Sequence, residues 1–293
     1  MRIFKSNIAC CFILFLFISF FSYGKAPSGI ADSLFISGKF YAASVEYERE
    51  AFLSAGNAAR TKALLKKSDC FLQSGNYEEA EKTTERLIYS GLNDTLVTEC
   101  RYHSALCSYL AGNFSNAENH LLQMQAFVKD STLTRPSLPL YALVLNELQR
   151  WEEAKQKALQ AIRVSGLSDT EKDTLAKKVN SLYTPANYPH LKNMVKAQNM
   201  SSFLPGLGQL YAGYFGEGVA SALVNAASLG LVAYLIIAPP HLYLTGLLGA
   251  SPLFTKFYFG GINRLAYLVE KRNYKVLRNY NDSLKKMILP LAK

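Results

Sequence analysis

The sequence is poor in the side chains that usually carry chemistry. Its 293 residues hold four histidines, five cysteines and one tryptophan. His103, His120, His190 and His241 fall within no hydrolase motif, so no nucleophile–base–acid set stands out. No Cys-x-x-Cys pair occurs, which removes the usual spacing of a structural zinc site. Gly206-Leu207-Gly208 lacks a preceding strand pattern and the third glycine of a dinucleotide fingerprint, and no Gly-Lys-Ser/Thr follows it. A nucleotide loop is thereby excluded. Cys10 and Cys11 precede the first apolar run instead of following it, so no lipid-attachment cysteine is evident. Most of the chain also lacks net charge. The total is +10, yet residues 256–293 alone hold nine basic residues against Glu270 and Asp282. A basic end beside apolar segments suits anionic lipid headgroups better than nucleic acid, for which no motif is present.

What is there begins with an export signal. Arg2 and Lys5 precede an almost uninterrupted apolar core from Ile8 to Phe21, and Ser22-Tyr23-Gly24 supplies small residues for cleavage after Gly24. The core is 14 residues long, short of the roughly 20 needed to span a bilayer. An uncleaved anchor is the competing reading. Removal of residues 1–24 leaves Cys70, Cys100 and Cys107, an odd number that argues against a disulfide framework and for buried thiols.

The middle of the chain repeats. Gly38-Lys39-Phe40-Tyr41-Ala42-Ala43 recurs as Gly75-Asn76-Tyr77-Glu78-Glu79-Ala80, Gly112-Asn113-Phe114-Ser115-Asn116-Ala117 and Gln149-Arg150-Trp151-Glu152-Glu153-Ala154, each 37 residues after the last. A second small column, Ala31, Ser68, Ala105 and Ala142, precedes each turn by seven residues. Glycine closes one helix in a left-handed cap, the aromatic opens the next, and the small residues sit where the two helices cross. One pair cannot bury its apolar face, so neighbours stack. Ser90-Gly91-Leu92-Asn93-Asp94-Thr95 and Ser165-Gly166-Leu167-Ser168-Asp169-Thr170 are expected to join the pairs, glycine ending one helix and Asn or Ser capping the next. Residues 168–182 read as a closing amphipathic helix, with Pro185 and Pro189 in the linker beyond.

This spacing of small, glycine, aromatic and alanine positions resembles the tetratricopeptide repeat family over residues 28–182. It departs from the family by running three residues longer than the usual 34 and by placing Gln149 at the fourth turn. The resemblance implies an α-solenoid of about four helix pairs with a capping helix, binding a protein or peptide in a concave groove. Residues of the first helix of each pair would line it: Lys66, Asp69, Arg101, Tyr102 and Tyr141.

From Ser202 the composition turns apolar. Residues 216–238 are long enough to span, Pro239-Pro240 breaks the run, and 241–261 is a second candidate weakened by Pro252 and Lys256. Gly218, Ala222, Ala226 and Gly230 recur every four positions, a pattern for close helix packing. Asn225 within the first span is expected to hydrogen-bond in helix packing. Residues 203–213, with Pro205 and three glycines, read as a broken or re-entrant element. Pro205, Gly206, Gly208, Gln209, Tyr211 and Gly213 form a Pro-Gly-x-Gly-Gln-x-Tyr-x-Gly string. With the Phe257–Asn263 exit it resembles the two-span membrane modules of the TM2 type and related bacterial families, over residues 200–275. The resemblance implies a membrane hairpin and no reaction.

The expected organisation is a signal at 1–24, an all-α repeat domain at 25–183, a linker at 184–201, a membrane domain at 202–270 and a basic tail at 271–293. Two spans return the C-terminus to the exported side, whereas the positive-inside rule draws the basic tail to the cytoplasm. Cys100, His103 and Cys107 share a helix face near His120, but Cys107 repeats the position of Cys70 one period earlier, which favours core packing over zinc. Glu78-Glu79 and Glu152-Glu153 complement helix dipoles. The chain is therefore expected to be no enzyme and to need no cofactor or metal. It reads as an inner-membrane scaffold of a bacterial envelope, with its repeats facing the periplasm and its partners a protein or peptide and the lipid bilayer. Oligomerisation through the hairpin is open. The alternative is a membrane domain that assists membrane-protein insertion or envelope biogenesis, with the repeats as a docking accessory.

Overall fold

The computed structural model describes residues 29–237 and 246–292. The export signal, Pro239-Pro240 and His241 lie outside the described residues. Every regular element described is helical. The chain divides into two compact units: residues up to 187 together with 281–293, and residues 188–280.

In the first unit, consecutive helices pack in pairs: α1 (Ile30–Ile36) on α2 (Phe40–Leu53), α3 (Asn57–Gln73) on α4 (Tyr77–Thr84), α5 (Asp94–Ala111) on α6 (Phe114–Phe127), and α7 (Leu138–Glu147) on α8 (Trp151–Val164). A single turn, Ser131–Thr134, and a 3-10 turn, Arg135–Ser137, lead into α7. α9 (Asp169–Leu182) follows α8, opened by a full capping box between Ser168 and Glu171.

The four corners share one geometry. Gly38, Gly75, Gly112 and Gln149 have φ of 75°, 73°, 87° and 61°. The next residue donates its N–H five residues back: Lys39 to Leu34 at 2.9 Å, Asn76 to Phe71 at 2.9 Å, Asn113 to Ser108 at 2.8 Å, and Arg150 to Leu145 at 3.0 Å. This is the Schellman closure, which satisfies carbonyls that the helix end would otherwise orphan. Phe40, Tyr77, Phe114 and Trp151 are each the first residue of the following helix. All eight small-column residues are fully buried. The departure at Gln149 therefore leaves the turn unchanged and puts a side chain into a left-handed backbone. It is the only non-glycine residue there among the described residues.

The connections between pairs correct the expectation. Gly91 does not end α4, which stops seven residues earlier at Thr84. Thr83 and Thr84 turn their hydroxyls back onto the carbonyls of Glu79 (2.7 Å) and Glu81 (2.8 Å), a bonding mode that competes with helix continuation. Residues 85–93 then run as a loop whose Leu87, Tyr89 and Leu92 pack onto Leu64, Leu96 and Cys100. Gly166 ends no helix either and, unlike Gly91 (φ 76°), is not left-handed: α8 stops at Val164 before an extended Ser165. The capping half of the expectation holds: Asn93 accepts the Leu96 N–H at 2.9 Å, and Ser168 caps α9.

The last 13 residues belong to this unit, so the segment read as a basic tail is structured. Asn281 accepts from Asn146 Nδ2 at 2.7 Å and donates to Glu147 at 2.6 Å, while Tyr183 donates to Asn146 Oδ1 at 2.7 Å. Leu284 and Ile288 are fully buried. Burial raises the Glu147 pKa, partly offset by the Asn281 hydrogen bond.

In the second unit, the expected linker contains α10 (Met194–Phe203), capped by Asn193. α11 (Leu207–Tyr211) and α12 (Phe215–Ile237) follow. After a π-helical turn at Gly246–Ala250 comes α13 (Ser251–Ile288), 38 residues long, whose residues up to 280 belong here. Only α12 among the described helices is long and apolar enough to cross a membrane, and just 11% of its most apolar window is buried. The described part of the second expected span, from 246 on, forms no separate apolar helix of membrane length. Its residues from 251 open α13, which runs on into charged sequence.

Candidate functional site

Two places gather the residues singled out by sequence. The first is the face between α3 and α5. Ser68 Oγ lies 2.7 Å from His103 Nε2, and Asp69 Oδ1 lies 3.5 Å from the same nitrogen. Because both meet Nε2, they form no nucleophile–base–acid relay, and Ser68 is fully buried. Lys66 pairs with Asp32 at 2.7 Å, and Tyr47 donates to the same carboxylate. Burial raises the pKa of Asp69, opposed by His103 and Lys66, although 34% of its side chain remains exposed. Burial raises Glu99 and Tyr102 as well.

The five groove candidates do not come together. Asp69 belongs to the α3–α5 face, Lys66 turns from α3 toward Asp32 of α1 and Tyr47 of α2, and Tyr102 precedes His103 on α5. Arg101 instead lies 3.6 Å over the Tyr89 ring and donates to Gln123 of α6. Tyr141 is 4% exposed, part of the core, with Lys157 over its ring at 4.8 Å. Sequence reasoning passed over Glu99, four residues before His103, a spacing that puts both on one helix face.

The three described cysteines, Cys70, Cys100 and Cys107, are core residues. Cys100 and Cys107 are fully buried in separate apolar clusters, and burial pushes the Cys70 and Cys100 thiols up to about 12. Thiols held protonated are poor metal ligands. Among the described residues no three of His, Cys, Asp and Glu are grouped to hold a metal.

The second place is the glycine-rich string, in which Gly206, Gly208, Gln209, Tyr211 and Gly213 each have a steric or bonding reason. Gly206 has φ of 100°, and a Cβ there would sit 2.2 Å from the Gly218 carbonyl oxygen. A Cβ on Gly208 would sit 2.3 Å from the Ala197 carbonyl, while its N–H donates to Ser201 Oγ at 3.0 Å. Gln209, 2% exposed, accepts from Ser201 at 2.9 Å and donates to the Gly261 carbonyl at 3.0 Å. Tyr211 accepts the Asn193 N–H at 3.3 Å. Gly213 (φ 88°) makes the same corner as the repeats, with Tyr214 donating to Gln209 C=O at 2.9 Å and Phe215 opening α12. Gly206 and Gly218 even occupy the positions of the two small columns. The broken element is thus a short fifth helix corner, shown by the structure and not by the 37-residue period.

Asn225 is 4% exposed, but its Nδ2 donates to Ser221 C=O at 2.8 Å within α12 itself, so no bond between helices uses it. Its Oδ1 is buried without a partner. Of the small-residue stripe, Gly206 meets Gly218 and Ala222, whereas Ala226 and Gly230 are exposed. Compared with known protein families, curated proteins and solved structures, the chain matches none.

Proposed function

We propose that the chain is a membrane-anchored scaffold of tetratricopeptide type, which binds a protein or peptide partner on the α3–α5 face. The observation that supports this reading is Asp69, which lies 3.5 Å from His103 across two stacked helix pairs and keeps one-third of its side chain exposed. A photo-crosslinking residue at Tyr102 in the full-length protein tests it. Partner crosslinks are expected there and not from Gln156 on the exposed side of α8. Equal yields from both positions would remove the groove from the proposal.

We infer further that α12 and the start of α13 form a membrane hairpin. Residues 281–293 fold with residues before 188, so any bilayer crossing between them must come in pairs. Residues 203–215 supply no crossing, because α11 has only five residues. The partner of α12 is then the chain from 241 to 261. Arg264 pairing with Glu217 and Gly261 lying against Ser221 support an antiparallel arrangement. The repeats, following the N-terminal signal, would face the periplasm of a bacterial envelope. A reporter fused after Lys293 is expected to be active outside the cytoplasm, and activity inside would move the whole first unit there.

The alternative, a membrane module that assists membrane-protein insertion, is favoured by one feature. An open groove of about 580 Å³ is lined by Val195, Met200, Phe203 and Leu207, with Phe203 90% exposed. Loss of Phe203 impairing function while groove variants near Asp69 do not would favour it.

A further inference from the structure

Around the N-terminal end of α12, the second unit gathers cations that its own carboxylates do not neutralise. Residues 188–280 hold eight Lys and Arg against Glu217 and Glu270. Arg264 takes Glu217 in a two-pronged pair, Nε at 3.0 Å and Nη2 at 2.7 Å. Of the other seven, Lys192, Lys196, Lys271 and Arg272 have no carboxylate at ion-pair distance among the described residues. Lys192 and Lys196 both hold Nζ over the Tyr211 ring, at 4.4 and 5.5 Å. Arg264 and Lys271 flank Tyr267 at 5.1 and 5.8 Å.

Arg272 is the most constrained of them. Its guanidinium lies against the Gly213 corner, where a Cβ would be 3.7 Å from Nε, and its Nη1 is buried without a hydrogen-bond partner. The neighbouring Asn273 clamps Lys192 by both backbone groups, accepting its N–H at 2.8 Å and donating to its C=O at 2.9 Å. Lys192 and Arg272 are therefore held in one neighbourhood by the fold. Gathering like charges costs free energy unless an anion joins them. Just beyond the collar, α12 exposes Val219, Leu223, Val224 and Leu229. Basic and tyrosine side chains at the end of an apolar, membrane-length helix sit at headgroup depth.

We propose that this collar binds the phosphate groups of anionic phospholipids in the leaflet at the N-terminal end of α12, with Arg272 as the innermost donor. The inference rests on α12 crossing the membrane. It is tested on the full-length protein in mixed phosphatidylglycerol–phosphatidylcholine vesicles, using a spin label on either lipid to measure relative association. The native protein is expected to prefer phosphatidylglycerol severalfold. Removing charge as Lys192→Gln/Lys196→Gln, or as Arg272→Gln, is expected to bring that preference down severalfold, close to equal association, since one charge near the surface is worth about fivefold. Equal association of the two lipids, or a preference unchanged in both variants, overturns the proposal. So does loss of the preference on adding millimolar inorganic phosphate, which would make free phosphate the ligand. If Arg272→Gln fails to fold, the two lysines at the surface carry the test. Extraction of the native protein from either vesicle by alkaline carbonate would instead sink the membrane reading itself.

Discussion

Replacing Gln149 by glycine is expected to stabilise the first unit. The four corners have the same hydrogen bonds and the same left-handed residue, and only this one carries a side chain there. A left-handed backbone costs an L-residue about 1–2 kcal/mol, because Cβ crowds the following carbonyl. Glycine escapes that cost but gives up more freedom on folding, about 0.5–1 kcal/mol. The difference leaves a gain of about 1 kcal/mol. Gln149 is exposed, so trimming it removes no packing. The mirror substitution is Gly112→Gln. A Cβ at Gly112 would meet no atom within 4 Å, so only the backbone penalty should appear, a loss of about 1 kcal/mol. For a unit of this size the shifts correspond to roughly 2–4 °C in Tm, upward for Gln149→Gly and downward for Gly112→Gln. Thermal unfolding followed by helical circular dichroism, on the full chain, measures both. No stabilisation by Gln149→Gly, or no cost from Gly112→Gln, would refute the claim that a shared left-handed closure governs the corners.

Asn281→Ala should leave the buried Asn146 amide without its acceptor and destabilise the first unit by about 1–3 kcal/mol, read by urea unfolding. Truncation after Tyr280 should cost more, because the burial of Leu284 and Ile288 is lost as well. Gly208→Ala drives a Cβ against the Ala197 carbonyl and should make the second unit sensitive to protease, whereas Gly230→Ala, in open space, should not. The carboxylates give opposite pH behaviour. Asp69 and Glu99 have raised folded pKa values, so their ionised forms weaken the fold at neutral pH. Asp69→Asn should be more stable than the native protein at pH 7, with the difference shrinking as pH falls toward the ordinary carboxylate range near about 4. Glu48 is held at about 2, chiefly by its hydrogen bonds with Arg86. Its contribution is present above the ordinary range and lost as pH falls toward that value, so Glu48→Gln should be less stable than native at pH 7 and equal to it in strong acid.

Legibility in the sequence followed the range of the interaction. The corner at Gly75 closes within six residues, from the Asn76 N–H to the Phe71 carbonyl, so glycine, aromatic and small positions recur together and can be read directly. The end of α4 was misread because Gly91 resembles a helix stop, while the hydroxyls of Thr83 and Thr84 act one turn sooner. Tyr141 looked like a groove residue by its helix, but its position one turn from Leu138 and Leu145 puts it in the core. Arg101 and His103 are two positions apart, and 200° of helical rotation sends one toward α6 and the other onto Ser68 and Asp69 of α3. The fifth corner at Gly213 lies outside the 37-residue period, although its local signal matches the other four.

The sequence by itself determined the helix pairs, their corners and the one apolar helix of membrane length, since each depends on backbone conformation and periodicity within a few residues. Only the tertiary structure decided that the last 13 residues belong with the repeats, through a hydrogen bond between Asn146 and Asn281, 135 positions apart. It also decided which of the polar residues shed their water and which cations were left without a counter-ion. Those outcomes depend on what arrives from elsewhere in the chain, and desolvation is a property of the assembled neighbourhood and not of any residue in it.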